Sequence, residues 1–308
     1  MSAGWVAGGV RARAIARRRV GADVARHVAA SASLEAALRV IAARPSDRGL
    51  RPGQALPVAQ REVAAALLWD LRVLTGWLPG GGAQLMRPLV GWFEIANTDE
   101  LLLQWSGRPA GEFFELGSLA TAWPRLRESA SPVGLRAALA ASAWKDPGGD
   151  SAYALSIGMR VRWAERVAAV GGHARDWAAG GLALLLAGER FAAGGHPVQP
   201  ALRTVATGLL GARASDAATL SELIDRLPGR LAWVMDGVAG PADLWRAEAA
   251  WWRRVEQDGL TLLRGSAFDF SPVLGAAAVL AADARRVQAA LELAARGGGP
   301  LEAYDAVA

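Results

Sequence analysis

The chain of 308 residues contains no cysteine, which excludes disulfides, thiolate nucleophiles and Cys-ligated zinc. Lysine is nearly absent too: Lys145 is the only one, so arginine carries the basic character. Beside abundant alanine and glycine this reads as codon usage, and the high isoelectric point is given no weight. Long apolar runs are missing. The longest clean stretch, residues 177–188, has 12 residues, well short of the roughly 20 needed to cross a bilayer. The N-terminus is basic but lacks an apolar core segment and a small-residue cleavage site, so a soluble chain without a secretory signal is expected.

Motifs of chemistry are equally scarce. His27, His173 and His196 are the only histidines, none at metal-ligand spacing to another and none in a His-Glu-x-x-His pattern. His27 is expected on a helix surface and the other two in loops beside glycine pairs. No Gly-x-Ser-x-Gly elbow occurs, and Gly80-Gly81-Gly82 lacks the Lys-Ser/Thr that would hold phosphate and magnesium, so it reads as a turn. Glu94 with Asp99, or Glu248 with Glu256, give no reason in sequence to act as an acid–base pair. No catalytic residue, metal ligand or cofactor is therefore assigned, and the chain is expected not to be an enzyme.

Strand signal is absent as well, since no alternating run of β-branched residues extends beyond a few positions. Helix explains what is left. Val63, Leu67, Leu71, Leu74 and Leu78 recur at steps of three and four between Leu56 and Leu78, and Pro79-Gly80-Gly81-Gly82 breaks that pattern before a second long helix from Ala83 to Trp105. Further long helices are expected over 152–170, 174–193, 242–264 and 273–296, with Pro241 at the start of the third, Ser271 capping the last and a short turn after Gly297-Gly298-Gly299-Pro300.

The order of these segments repeats. Three short apolar helices begin at serines, Ser33, Ser131 and Ser215, each placed to cap the first turn with its hydroxyl, and each is followed by two long helices. The long pairs open near Pro57, Ser151 and Pro241, a period of about ninety residues, beyond that of solenoid units. An all-α chain of three similar units is expected, spanning 1–106, 107–212 and 213–308, with breaks in 105–115 and 194–213.

Charge is concentrated at one end. Arg11, Arg13, Arg17, Arg18, Arg19 and Arg26 against Asp23 give the first thirty residues a net +5, the value for the whole chain. On one helix Arg11 would share a face with Arg18, and Arg13 with Arg17, while Trp5, Gly8, Gly9, Ala12 and Ala16 form a small-residue stripe fit for close helix contact. The cationic face is either plainly solvated or a contact for a membrane surface or acidic partner. Nucleic acid fits less well because aromatic interleaving and a reading motif are missing. Of the 13 tryptophans, Trp69, Trp77, Trp92, Trp163, Trp177 and Trp245 are expected in helix cores. Trp251 and Trp252 point about 100° apart, so one of them is expected at an interface between units or with a partner.

Several segments carry a family resemblance. Val10-Arg11-Ala12-Arg13 followed by Arg17-Arg18-Arg19, the run from Trp92-Phe93-Glu94-Ile95-Ala96-Asn97-Thr98-Asp99-Glu100 to Leu101-Leu102, Gly107-Arg108-Pro109 before Leu116-Gly117-Ser118-Leu119, and Ser271-Pro272-Val273-Leu274-Gly275 through Gly299-Pro300-Leu301-Glu302 resemble the V-type ATPase C/d subunit family, in order and along nearly the whole chain. That resemblance implies three similar helical domains in a pseudo-threefold funnel. It implies a non-catalytic socket, without cofactor, small-molecule substrate or nucleic acid. Its cavity takes the central rotor shaft, its opposite side rests on the proteolipid ring at the cytoplasmic face of the membrane, and torque passes through it for ion transport. Contacts in the family are surfaces, so the residues named here for partner contact, Arg11, Arg13, Arg17, Arg18, Arg19, Trp251 and Trp252, come from the charge and aromatic pattern alone. The alternative is a helical interaction module that binds an acidic partner or nucleic acid through its arginine-rich first helix.

Overall fold

The computed structural model describes residues 3–44, 49–192, 195, 199–299 and 301–307. His196 and Pro300, named above, and position 193 of the helix expected over 174–193 lie outside the described residues. Among those described the protein is all-helical, 72% helix with no strand. In chain order the α-helices are α1 (Ala3–Ala16), α2 (Ala22–Ala29), α3 (Leu34–Ala42), α4 (Leu56–Thr75), α5 (Gly82–Trp105), α6 (Trp123–Leu126), α7 (Pro132–Ala140) and α8 (Ala152–Ala168). They continue as α9 (Gly172–Ala187), α10 (Pro200–Leu210), α11 (Ala212–Ser215), α12 (Leu220–Arg226), α13 (Leu244–Arg264), α14 (Ser271–Ala295) and α15 (Leu301–Val307).

The expected order of short and long helices is present. Ser33 Oγ accepts from the Ala36 amide and Ser131 Oγ from the Gly134 amide, each at 3.2 Å, a cap worth about 1 kcal/mol to its helix. Ser215 is a correction: it closes α11, and Thr219 Oγ1 caps α12 by accepting from the Glu222 amide at 3.2 Å. Two further corrections concern the last helices. Asp269, not Ser271, tethers the start of α14, accepting from the Ser271 amide at 2.8 Å, and the chain after the glycine run forms α15 rather than a turn.

The compact units differ from the three consecutive ones read from the sequence. One comprises residues 1–82 and 252–308, the other 83–251, so the second boundary falls inside α13. The reason is α14, whose apolar length packs on α1, α2, α3 and α4 and so draws the C-terminal segment into the core of the first. Ala25, Val28, Leu38, Ile41, Val63, Val287, Leu291 and Tyr304 meet there.

Small residues set helix spacing in this discontinuous unit. A methyl on Gly275 of α14 would stand 2.6 Å from the Gly259 carbonyl oxygen of α13 and 2.9 Å from Leu262 Cβ. The small stripe of α1 behaves as expected: Gly9 faces the Pro272 ring, Ala12 and Ala16 are buried, and Trp5 meets Phe270 edge-on with ring centroids 6.1 Å apart. Buried polar groups then fix the connections. Asp283 of α14 accepts from the Val20 and Gly21 amides, both at 2.8 Å, and so takes the role of a cap for α2. Burial pushes the Asp283 carboxyl above its usual range, against the pull of those two amides and of Arg286. Arg286, also buried, pairs with Glu256 of α13.

In the continuous unit, α8 packs on α9 and α10, with Leu155, Met159, Leu182 and Leu186 among its fully buried residues. The Trp251 indole covers Gly180 and Gly181 of α9 and donates through Nε1 to the Trp177 carbonyl at 3.0 Å. A π-helical turn, Gly188–Ala192, extends α9.

Because backbone atoms lie opposite Gly275, the neighbour has no side chain that can swing away. Gly275→Ala is therefore expected to cost about 3 kcal/mol, read as a lowered urea midpoint at unchanged slope; a loss below a few tenths would contradict the close α13–α14 approach.

Candidate functional site

A groove of about 640 Å³ lies in the continuous unit. Its floor is aliphatic, from Leu102 and Leu103 near the end of α5, Ile157 of α8 and Leu185 of α9. Its rim is polar. Arg160 of α8 donates through Nη2 to Asp99 of α5 at 2.8 Å and through Nη1 to the Ser156 carbonyl at 3.0 Å. The same guanidinium lies 5.5 Å from the Trp92 ring, which tilts against Trp163 with centroids 5.3 Å apart. Across the groove the Tyr153 hydroxyl donates to Glu189 of the π-helical turn. Desolvation and that carboxylate push the Tyr153 phenol up to about 12, so it remains a protonated donor at neutral pH.

The run from Trp92 to Leu102 holds this site's framework. Glu94, fully buried, accepts from the Thr121 amide at 3.0 Å and the Ala122 amide at 2.5 Å, directly before α6. Asn97 pairs twice with the Phe114 backbone, accepting at 2.6 Å and donating at 2.9 Å. The segment after α5 is thereby tied to the helix it leaves. Arg166 of α8 adds a third tie through Thr121 Oγ1 at 2.7 Å; burial lowers its pKa, and its guanidinium lies 4.3 Å from the Trp144 ring. Ser151 Oγ caps α8 by accepting from the Ala154 amide at 3.1 Å, and in the loop before it Asp146 accepts from Arg136 at 2.9 Å and from the Gly148 amide at 3.0 Å. Those two donors hold the Asp146 carboxyl at about 2.

Chemically the groove offers an apolar slot edged by the Asp99–Arg160 pair, by Tyr153 with Glu189, and by Arg108. Asp99 pairs with Arg160, and Glu189 accepts from the Tyr153 hydroxyl. Of the carboxylates weighed from sequence, Glu94 accepts from backbone amides, Asp99 pairs with Arg160 and Glu256 pairs with Arg286. Among the described residues no three His, Asp or Glu side chains are placed to hold a metal ion.

The residues marked for partner contact disperse. α1 ends at Ala16, so Arg17, Arg18 and Arg19 stand in the turn that follows and Arg11 does not share a helical face with Arg18. Arg13 is turned inward, donating to the Leu263 carbonyl at 2.8 Å and the Gly265 carbonyl at 2.6 Å, where it caps the end of α13. Arg11 lies 5.7 Å from the Trp77 ring, and Arg19 donates to the Ala16 carbonyl at 3.1 Å. Of the five only Arg17 and Arg18 are exposed; the other three are half-buried. Trp251 packs inside its own unit as described, while Trp252, half-buried, has Arg285 5.6 Å from its ring.

The expectation of core tryptophans fails for four of six. Trp69, Trp77, Trp92 and Trp245 are 52%, 51%, 46% and 42% exposed, whereas Trp177 is buried and Trp163 half-buried. Buried indoles come instead from Trp123 and Trp144. His27 is exposed on α2 as expected, and His173 lies in the first turn of α9, not in a loop, stacked on Trp177 at 5.9 Å. Sequence reasoning passed over Tyr153, Arg160 and Glu189, for no local spacing announces pairs 36 or 61 positions apart. No protein-family model matches the chain, and no curated protein matches its sequence.

Two measurements check this framework. Glu94→Gln leaves one amide facing a donor in a buried place, so a loss of about 2 kcal/mol is expected, with faster amide exchange at Thr121 and Ala122; unchanged exchange would refute the tether. Asp146 has a folded pKa below its unfolded value, so its contribution to stability is present above about pH 4 and is lost as pH falls toward 2. Asp146→Asn is expected to flatten the stability profile in that window, and an unaltered acid limb would contradict the pairing.

Proposed function

We propose that this chain is a non-catalytic coupling subunit of a V-type, archaeal or bacterial rotary ATPase, the socket that joins the central shaft to the proteolipid ring at the cytoplasmic face. The observation that carries this reading is the threefold recurrence of one capped short helix before two long ones: α3 before α4 and α5, α7 before α8 and α9, and α12 before α13 and α14. That order agrees with the whole-chain resemblance to the C/d subunits, whose three helical domains would form the funnel. Close-packed helices of this kind have low compressibility, which a torque-bearing part requires.

The non-enzymatic part of the proposal is supported by how polar residues are used. The acidic groups of the resemblance run, Glu94 and Asp99, hold a loop and an arginine instead of facing a reacting atom. The rival reading, an acidic-partner or nucleic-acid module built on the first helix, is weakened by the inward turn of Arg13 and by the end of α1 before Arg17. Two exposed arginines are a small footprint beside the six to ten phosphate contacts of a typical DNA binder.

Removing the subunit should uncouple the machine. The soluble catalytic part should still hydrolyse ATP while ATP-driven ion transport in vesicles stops, and adding the chain back should restore it. Transport at the normal rate in vesicles shown to lack the protein would end the proposal.

A further inference from the structure

The solvent face of α1 has a composition that neither the groove nor the rotor reading uses. Val6 and Val10, one helical turn apart, are both exposed, Val10 at 62%. Each flank of this stripe is bordered by more exposed apolar surface. On one side Gly4 and Gly8 pack against Pro79 and Leu78, and Arg11 lies 5.7 Å from the ring of Trp77, itself half exposed. On the other side Trp5 meets Phe270 and Arg13 bonds the Gly265 carbonyl, which sets beside α1 the segment that carries exposed Phe268. All of these residues belong to the discontinuous unit.

Charge grades along the same stripe. Its N-terminal half is apolar and its end leads to the exposed Arg17 and Arg18. The one carboxylate in the bordering segment, Asp269, is spent on the Ser271 amide. An apolar and aromatic strip that ends in free guanidinium groups is the pattern of a surface lying in a bilayer interface. Aliphatic side chains enter the acyl boundary, indoles sit at headgroup depth, and arginines meet phosphate. Among the described residues no helix is long and apolar enough to cross a membrane, so the contact is peripheral.

We propose that the α1 face, through Val6, Val10, Trp77, Arg17 and Arg18, binds the surface of an anionic phospholipid bilayer. The inference stands apart from the rotary-ATPase reading, since it needs only this chain and lipid. Arg13 takes no part in it, being committed to the end of α13.

Flotation of the full chain with vesicles of phosphatidylcholine, with and without phosphatidylserine, tests it. Binding is expected chiefly to the anionic vesicles. Arg17→Glu with Arg18→Glu should weaken it by about thirtyfold or more, since each basic residue near the leaflet contributes roughly one kcal/mol. Val10→Ser, which leaves charge unchanged, should weaken it by about tenfold through lost apolar insertion. All these positions are exposed, and unaltered far-UV spectra and urea midpoints would show that the variants fold. Failure of the parent chain to float with anionic vesicles would overturn the proposal. So would binding that Val10→Ser leaves unmoved, because a purely electrostatic contact is what an acidic protein partner would also give.

Discussion

Helices in this protein approach one another until backbone meets backbone, and most other features follow from that closeness. Gly275 against the Gly259 carbonyl brings α13 and α14 together, Gly9 against Pro272 seats α1, and Gly180 and Gly181 admit the Trp251 indole. A methylene gained at such a contact cannot be absorbed, since interiors at crystal-like density have no spare volume. The same economy explains tryptophan. Where alanine and glycine leave gaps, Trp144, Trp123 and Trp177 fill them, and each removes far more apolar surface from water than an alanine does.

Close packing leaves little solvent for the loops, so buried polar side chains take over the work of water. Glu94 serves Thr121 and Ala122, Asn97 serves Phe114, and Asp283 serves Val20 and Gly21. In each case a side chain from a long helix satisfies amides at the start or approach of a short segment. A buried amide without an acceptor costs on the order of 1–3 kcal/mol, so these residues fix where the chain turns as well as how firmly. Asp283 shows the balance of terms: desolvation raises its pKa while two amides and Arg286 oppose that rise.

How far the sequence reveals this depends on the range of each interaction. Helical class, the long helices and the caps at Ser33 and Ser131 are local, and they were legible from spacing and hydroxyl position. Ser215 misled because Thr219, four residues on, offers the same hydroxyl chemistry nearer the apolar run. The tryptophans misled for a different reason. In alanine-rich helices such as α4 the apolar residues surround the axis, so the buried side cannot be picked from periodicity, and Trp69 falls outside. The division into units and the groove were not legible at all. Both rest on contacts between distant segments, α14 with α1 to α4 in one case and Asp99 with Arg160 in the other.

The arginines show most clearly why a count of charge does not describe a surface. Five guanidinium groups within nine residues look like one cationic face, yet the backbone leaves the helix after Ala16 and sorts them by what lies near. Arg13 finds the orphan carbonyls at the end of α13, where a cation also meets the negative end of the helix dipole. Arg11 lies over the Trp77 ring, and Arg19 folds back on the helix it follows. What is left to solvent is Arg17 and Arg18, next to an apolar stripe whose valines have no neighbour that would bury them. A net +5 in the sequence thus becomes a narrow, two-charge edge on an apolar strip. That asymmetry carries more information about a partner than the original sum did, for an even coat of five charges would suit any polyanion, while charge at one end of exposed valine and indole asks for a partner that is itself anionic on top and apolar beneath.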